Sequence, residues 1–164
     1  MAGGFLTYTL LYTAFPDMNS ICFGDNVKVL PSYLYTMTSF NTVEIPSSIS
    51  IIHDAAFYGC TSLSNVGIPN SVSIIGRNAF RDCMNLTDIS LPSSMKQIDN
   101  LAFFIYNNIN LDTKITCMAI NPPILGEDVF YNRNVQVIRV PMPSVEAYKT
   151  ADGWSQFADV IVGI

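Results

Sequence analysis

Charge is scarce in this sequence. Charged residues make up 13 % of the 164, and the eight lysines and arginines are scattered without a cluster. Nucleic-acid affinity comes largely from Lys and Arg on phosphates, so this balance, with a formal charge of −5, excludes nucleic acid as a partner class. It equally leaves no basic patch for an anionic membrane surface. Histidine occurs once, and the four cysteines form no C-x-x-C pair, so a Cys/His zinc set of the usual spacing cannot be assembled. No stretch approaches the length of a transmembrane helix, which excludes membrane insertion by a helix. The opening MAGGFLTYTLLYTAF is apolar but has no basic n-region, and threonine and tyrosine interrupt it; it is a poor signal peptide. Walker-type and dinucleotide glycine patterns are missing too, and no cofactor is expected.

What is present is apolar and periodic. Apolar residues reach 49 %, enough for a substantial core, and the length suits one domain. Residues 45–67 read IPSSISIIHDAAFYGCTSLSNVG and residues 68–90 read IPNSVSIIGRNAFRDCMNLTDIS; the two 23-residue blocks agree at ten positions without a gap. A repeat of that length predicts a β-rich solenoid, in which each unit buries its apolar face against its neighbours. Within a unit, Asn65-Val66-Gly67-Ile68 alternates as a half-buried strand should. Proline then stops the ladder, and a polar turn follows whose Ser48, Ser71 or Ser94 can bond locally. A second extended piece, Ser73-Ile74-Ile75, comes next. Asn78–Cys83 suits a single helical or 3-10 turn.

The apolar register extends the pair. Tyr35, Phe57, Phe80, Phe103 and Phe130 form one aromatic column, and Cys60 and Cys83 a ladder of small buried side chains beside it. Stacked turns lie roughly 5 Å apart, but stacked Cβ vectors run parallel, so free thiols are expected rather than a disulfide. The third unit loses register: Tyr106 stands in the cysteine place, and Phe130 follows Phe103 by 27 residues, with Asn121-Pro-Pro as the visible detour. The division that follows is an N-terminal cap or remnant at 1–19, with a strand at 6–13 and a turn at 15–19, and a solenoid at 20–141. Its repeats fall at about 23–44, 45–67, 68–90 and 91–113, with an irregular last one at 114–141. A C-terminal cap spans 142–164. In that cap Ser144–Thr150 is predicted to be a helix with Ser144 as N-cap and Glu146 in its first turn. Trp154 and Phe157 should seal the end, and residues 160–164 close as an edge strand.

The pattern I-P-x-S-[VI]-x-x-I-x-x-x-A-F-x-x-C-x-x-L-x-x-[VI] resembles the BspA-like leucine-rich repeats of bacterial surface proteins. The tail, Asn121-Pro-Pro…Gly126-Glu-Asp-Val-Phe130, then Val140-Pro…Ser144-Val-Glu-Ala-Tyr148-Lys and Gly153-Trp154, resembles the closing segment of such proteins from Bacteroides-type bacteria. The resemblance covers roughly residues 20–164. It implies a right-handed leucine-rich-repeat solenoid, extracellular or at the cell surface (or periplasmic), that recognises or adheres to a protein or glycan rather than catalysing a reaction. The motif residues are structural, so the family supplies the scaffold and not the ligand.

The expected binding face is the row of outward strand positions: Thr42 and Glu44, Asn65 and Gly67, Asp88 and Ser90, continued by Gln136 and Arg139. The alternative is a plain solvated sheet on a spacer domain of a longer surface protein, since the three regular rungs carry no aromatic or Arg anchor. A second patch could form from Tyr58, Phe104, Ile105 and Tyr106 on the turn edge, although core beneath Pro122-Pro123 is the favoured reading. A hydrolase built on His53 with Asp54 or Ser50 lacks an orienting third group and is the least favoured. Asp99, Asp112, Glu127 and Asp128 follow no calcium-loop spacing.

Overall fold

The structure is a computed structural model that describes residues 20–22, 30, 40–107 and 111–164. The strand expected at 6–13, the turn at 15–19 and the column position Tyr35 lie outside the described residues.

Short parallel strands alternate between two sides of the solenoid. On the first side β1 (Ser20–Cys22), β2 (Thr42–Glu44) and β4 (Asn65–Gly67) form one ladder. On the same side, β6 (Asp88–Leu91), β8 (Leu111–Cys117), β10 (Arg133–Val140) and β11 (Ile161–Gly163) form a second. The other side stacks β3 (Ile51–Ile52), β5 (Ile74–Ile75), β7 (Gln97–Ile98) and β9 (Ile124–Leu125). Strands this short cannot stand alone; the neighbouring layer supplies the hydrogen bonds and the cover.

Register follows the sequence period where the repeats are regular. Val43 pairs with Val66, and Ile52 with Ile75 and then Ile98. Val43, Ile52, Ile75, Ile89 and Ile98 are all fully buried, as the inward half of a period-two pattern must be. The third unit departs. Asp88 pairs with Lys114 and Ile89 with Ile115, a step of 26 residues, so β8 crosses residue 113, where the sequence suggested a division between repeats. A register shift between Val135 and Val137 then places Val137, not Gln136, opposite Lys114. Gln136 therefore drops out of the face column expected for it: the extra residue of a bulge has no partner in the ladder.

Between β3 and β4, and in each later unit, the chain makes a turn that closes helical-type bonds: Ala56 N to His53 O, Tyr58 N to Ala55 O, Cys60 N to Phe57 O. In three of the four turns two residues sit at positive φ, Ala55 (54°) with Gly59 (70°), Asn78 (57°) with Asp82 (59°), and Asp128 (54°) with Asn132 (61°); the remaining turn has Leu101 (62°) alone. That backbone turns every second N–H out of the turn and towards the next layer. Ser94 behaves similarly: its Oγ donates to Val72 O of the preceding unit at 2.6 Å rather than within its own turn.

After β10 a 3-10 turn, Met142–Ser144, leads into α1 (Val145–Thr150) and a second 3-10 segment, Ser155–Val160. Ser144 does stand at the N-cap position, but makes no capping bond. The preceding 3-10 turn holds it at φ −97°, ψ −7°, helical rather than extended, so its buried Oγ is aimed away from the helix N–H groups.

Candidate functional site

The expected face is built by the first-side ladders. Pairing sets Thr42 beside Asn65 and Glu44 beside Gly67; Ser90 lies beside Thr116, and Thr116 beside Arg139. Glu44, Asn65, Asp88 and Ser90 are exposed, and Thr42 and Gly67 are half-buried. The Glu44 carboxylate leans over Gly67, in the space a Cβ there would take. β4 and β6 belong to separate ladders, so the face has two blocks. Sequence reasoning missed the rung that starts the second half, Lys114 and Thr116, because the three-residue insertion hid β8. Lys114, opposite Asp88, puts a cation in a row otherwise acidic or neutral. Asp112 accepts bonds from Asn134 Nδ2 (2.7 Å) and Gln136 Nε2 (3.2 Å), so it is engaged locally.

On the turn edge the residue after each core phenylalanine forms a second, outer column: Tyr58, Arg81, Phe104, Tyr131. The Arg81 guanidinium lies between two rings, 5.6 Å from the Tyr58 centroid and 4.8 Å from that of Phe104, and Phe104 stacks on Tyr131 at 5.5 Å. The patch foreseen from sequence is thus split. Ile105 is core, Tyr58 and Phe104 are half-buried in the outer column, and Tyr106 stands 70 % exposed. Tyr106 is not packed beneath Pro122-Pro123.

The swing of Tyr106 explains the least expected group, Arg133. It occupies the column of Cys60, Cys83 and Tyr106, yet is buried and, among the described residues, makes no ion pair, Asp82 being the carboxylate that acts on it. Where Cys83 Sγ donates to Phe57 O (3.2 Å), Arg133 Nε donates to Phe103 O (2.6 Å), the same bond two units on. Its remaining N–H groups reach through the place Tyr106 left, to Leu86 O at 2.6 Å and Cys83 O at 3.3 Å. Burial lowers its pKa to about 10, still far above neutrality, so it is a fixed cation that knits three layers together.

The buried thiols titrate the other way. Burial raises Cys60 to about 12; burial, then the neighbouring Cys60, push Cys83 well up; burial raises Cys117, against the bond from Tyr148, and raises Tyr148 itself. A raised folded pKa gives stability that is complete below the unfolded value and is lost as pH climbs towards the folded one. The unfolding midpoint in urea is therefore expected to fall from pH 9 upwards, with Cys60 alone accounting for about 3 kcal/mol by pH 11. Arg133, lowered by burial, opposes part of this above pH 10. The alkaline slope should flatten in Cys60→Ala; an unchanged slope would show that the thiol does not carry it.

Catalytic candidates are not assembled. His53 is exposed, and the Asp54 carboxylate accepts Arg77 N at 2.9 Å instead of orienting it. Asp99 accepts from Gln97 Nε2 (2.6 Å). Among the described residues no three His, Cys, Asp or Glu gather as a metal site, and no helix is long and apolar enough to cross a membrane.

Layered parallel strands, one buried aromatic per layer and a 23-residue step are the geometry of leucine-rich repeats. The family described as "BspA type Leucine rich repeat region (6 copies)" matches residues 28–150. The chain belongs to the BspA-type leucine-rich repeat family. Such repeat regions are interaction or structural modules, generally without enzymatic activity. No curated protein matches the chain. Among solved structures, a leucine-rich repeat protein from Bacteroides ovatus ATCC 8483 shares the fold at TM-score 0.55 and 22% identity. The similarity covers 88% of this BspA-type chain and 35% of that one, so the chain spans about a third of the length of its structural relative.

Proposed function

We propose that this BspA-type domain is a non-enzymatic recognition module, secreted or displayed at the cell surface, that binds a protein or glycan on the outward sheet face. The observation that carries the reading is the division of the strands. Every inward position is committed to packing, while Glu44, Asn65, Asp88 and Ser90 stand exposed in adjacent layers with small neighbours that leave the face open. The resemblance to repeats of bacterial surface proteins favours export, and Glu44 and Asp88 favour a ligand with basic or hydroxyl groups on the first part of the face.

The charge-reversed Glu44→Lys/Asp88→Lys protein should lose at least about tenfold in affinity for whichever member of an extracellular-matrix protein and glycan panel the parent binds. Its stability should fall by no more than about 1 kcal/mol, the cost of a second lysine opposite Lys114, since both side chains are exposed. Equal binding by parent and variant would remove this face from consideration. A spacer domain predicts something else: deletion of residues 45–67, one whole layer, would then leave the behaviour of the surrounding protein intact.

A further inference from the structure

In each layer the N–H groups of alternate turn residues leave the turn and bond to carbonyls of the next. Ala55, Phe57 and Gly59 N donate to Arg77, Ala79 and Arg81 O at 2.8, 2.7 and 2.8 Å. Asn78, Phe80 and Asp82 N repeat the pattern on Asn100, Ala102 and Phe104 O, and Leu101, Phe103 and Ile105 N on Glu127, Val129 and Tyr131 O. The corresponding donors of the last layer are the N–H groups of Asp128, Phe130 and Asn132. Among the described residues none of the three has an acceptor.

The closing segment serves other groups at this end. Trp154 Nε1 donates to Pro123 O at 2.7 Å, Tyr148 OH donates to Ala119 O at 2.8 Å, and β11 extends the outer ladder. It supplies side-chain donors to stranded carbonyls and no acceptor to the stranded N–H groups. Between it and the last turn lies a cavity of about 240 Å³, lined by Leu125, Asp128, Phe130, Asn132, Gln156 and Phe157. Unpaired backbone donors beside such a space define what fits it.

We propose that this end cavity docks a segment of a partner protein, whose main-chain carbonyls accept from Asp128, Phe130 and Asn132 N–H as a further layer would. Donors on alternate residues of one turn match carbonyls on alternate residues of one peptide, the match the three preceding layers make. An anion is the weaker fit: the Asp128 carboxylate lines the same space and Glu127 is exposed next to it, while Arg133, the cation that also lines it, has its N–H groups committed to Phe103, Leu86 and Cys83 O. Leu125 and Phe157 give the cavity an apolar wall for one side chain of the segment. The surface is distinct from the sheet face and does not depend on it.

The probe is acetyl-Arg-Asn-Ala-Phe-Arg-Asp-amide, the turn of residues 77–82, titrated into the ¹⁵N-labelled full chain, with acetate as a parallel arm. In the free protein the Asp128, Phe130 and Asn132 amides should exchange on the order of 100-fold or more faster than those of Phe57, Phe80 and Phe103. The peptide should shift these three amide resonances together and saturably, acetate should not, and Gln156→Trp, which fills the cavity from an exposed position, should abolish the response. Three amides unmoved by peptide, equal shifts with acetate, slow exchange in the free protein, or an undiminished response in Gln156→Trp would each overturn the proposal.

Discussion

Arg133→Ala is expected to lose on the order of 3–5 kcal/mol of unfolding free energy, measured by urea denaturation at pH 7. The loss has two parts. Phe103 and Leu86 carbonyls would be left buried without donors, each costing about 1–3 kcal/mol, whereas Cys83 O keeps its bond from Leu86 N. The space that Tyr106 does not fill would also become a void. Relief of the guanidinium's own burial, visible in its lowered pKa, offsets some of this. Arg133→Lys should recover only a minor share, because one ammonium cannot present three N–H groups along the fork that joins three layers. A change below about 1 kcal/mol for the alanine variant would mean that water replaces the guanidinium freely, and that the layers do not need it.

Phe80→Ala should be comparably damaging, about 3–5 kcal/mol by the same measurement. Its ring is fully buried and stacked on both sides, 5.1 Å from Phe57 at 10° and 5.1 Å from Phe103 at 4°. In a solenoid each layer contacts only its neighbours, so removing a central ring weakens two interfaces at once. Phe80→Leu, which keeps much of the volume, should cost less than half as much. If Phe80→Ala and Phe80→Leu proved equal, the aromatic stack would contribute shape but no filling of space, contrary to the geometry.

Both effects bear on recognition, because the outward face has no rigidity of its own. Strands of three or four residues hold Glu44, Asn65, Asp88 and Ser90 in line only while the layers beneath them stay in register. Variants of the core should therefore blur the face as they lower stability, whereas Glu44→Lys/Asp88→Lys acts on the face alone.

Most of the regular part is legible in the sequence. Repetition of Ile, Ala, Phe, Cys and Leu at a step of 23 placed β4 and β5, the turn at Asn78–Cys83 and the stacking of Phe57, Phe80 and Phe103, because period-two alternation and a buried column are written along the chain. The legibility ended at the third unit. That Tyr106 departs from the cysteine column can be seen in the sequence, but whether it points in or out cannot.

Sequence by itself determined the solenoid, its family and the inward positions, since each of these is decided by where apolar residues recur. Tertiary structure alone decided the pairing of Asp88 with Lys114, the bulge that removes Gln136 from the face, the entry of Arg133 into the cysteine column and the unanswered N–H groups of Asp128, Phe130 and Asn132. The physical reason is common to all four. In this solenoid the strands and every second N–H of each turn are satisfied across layers rather than along the chain, so an insertion in one unit is absorbed by hydrogen bonds made to units 20 to 50 residues away, as Arg133 does with Cys83.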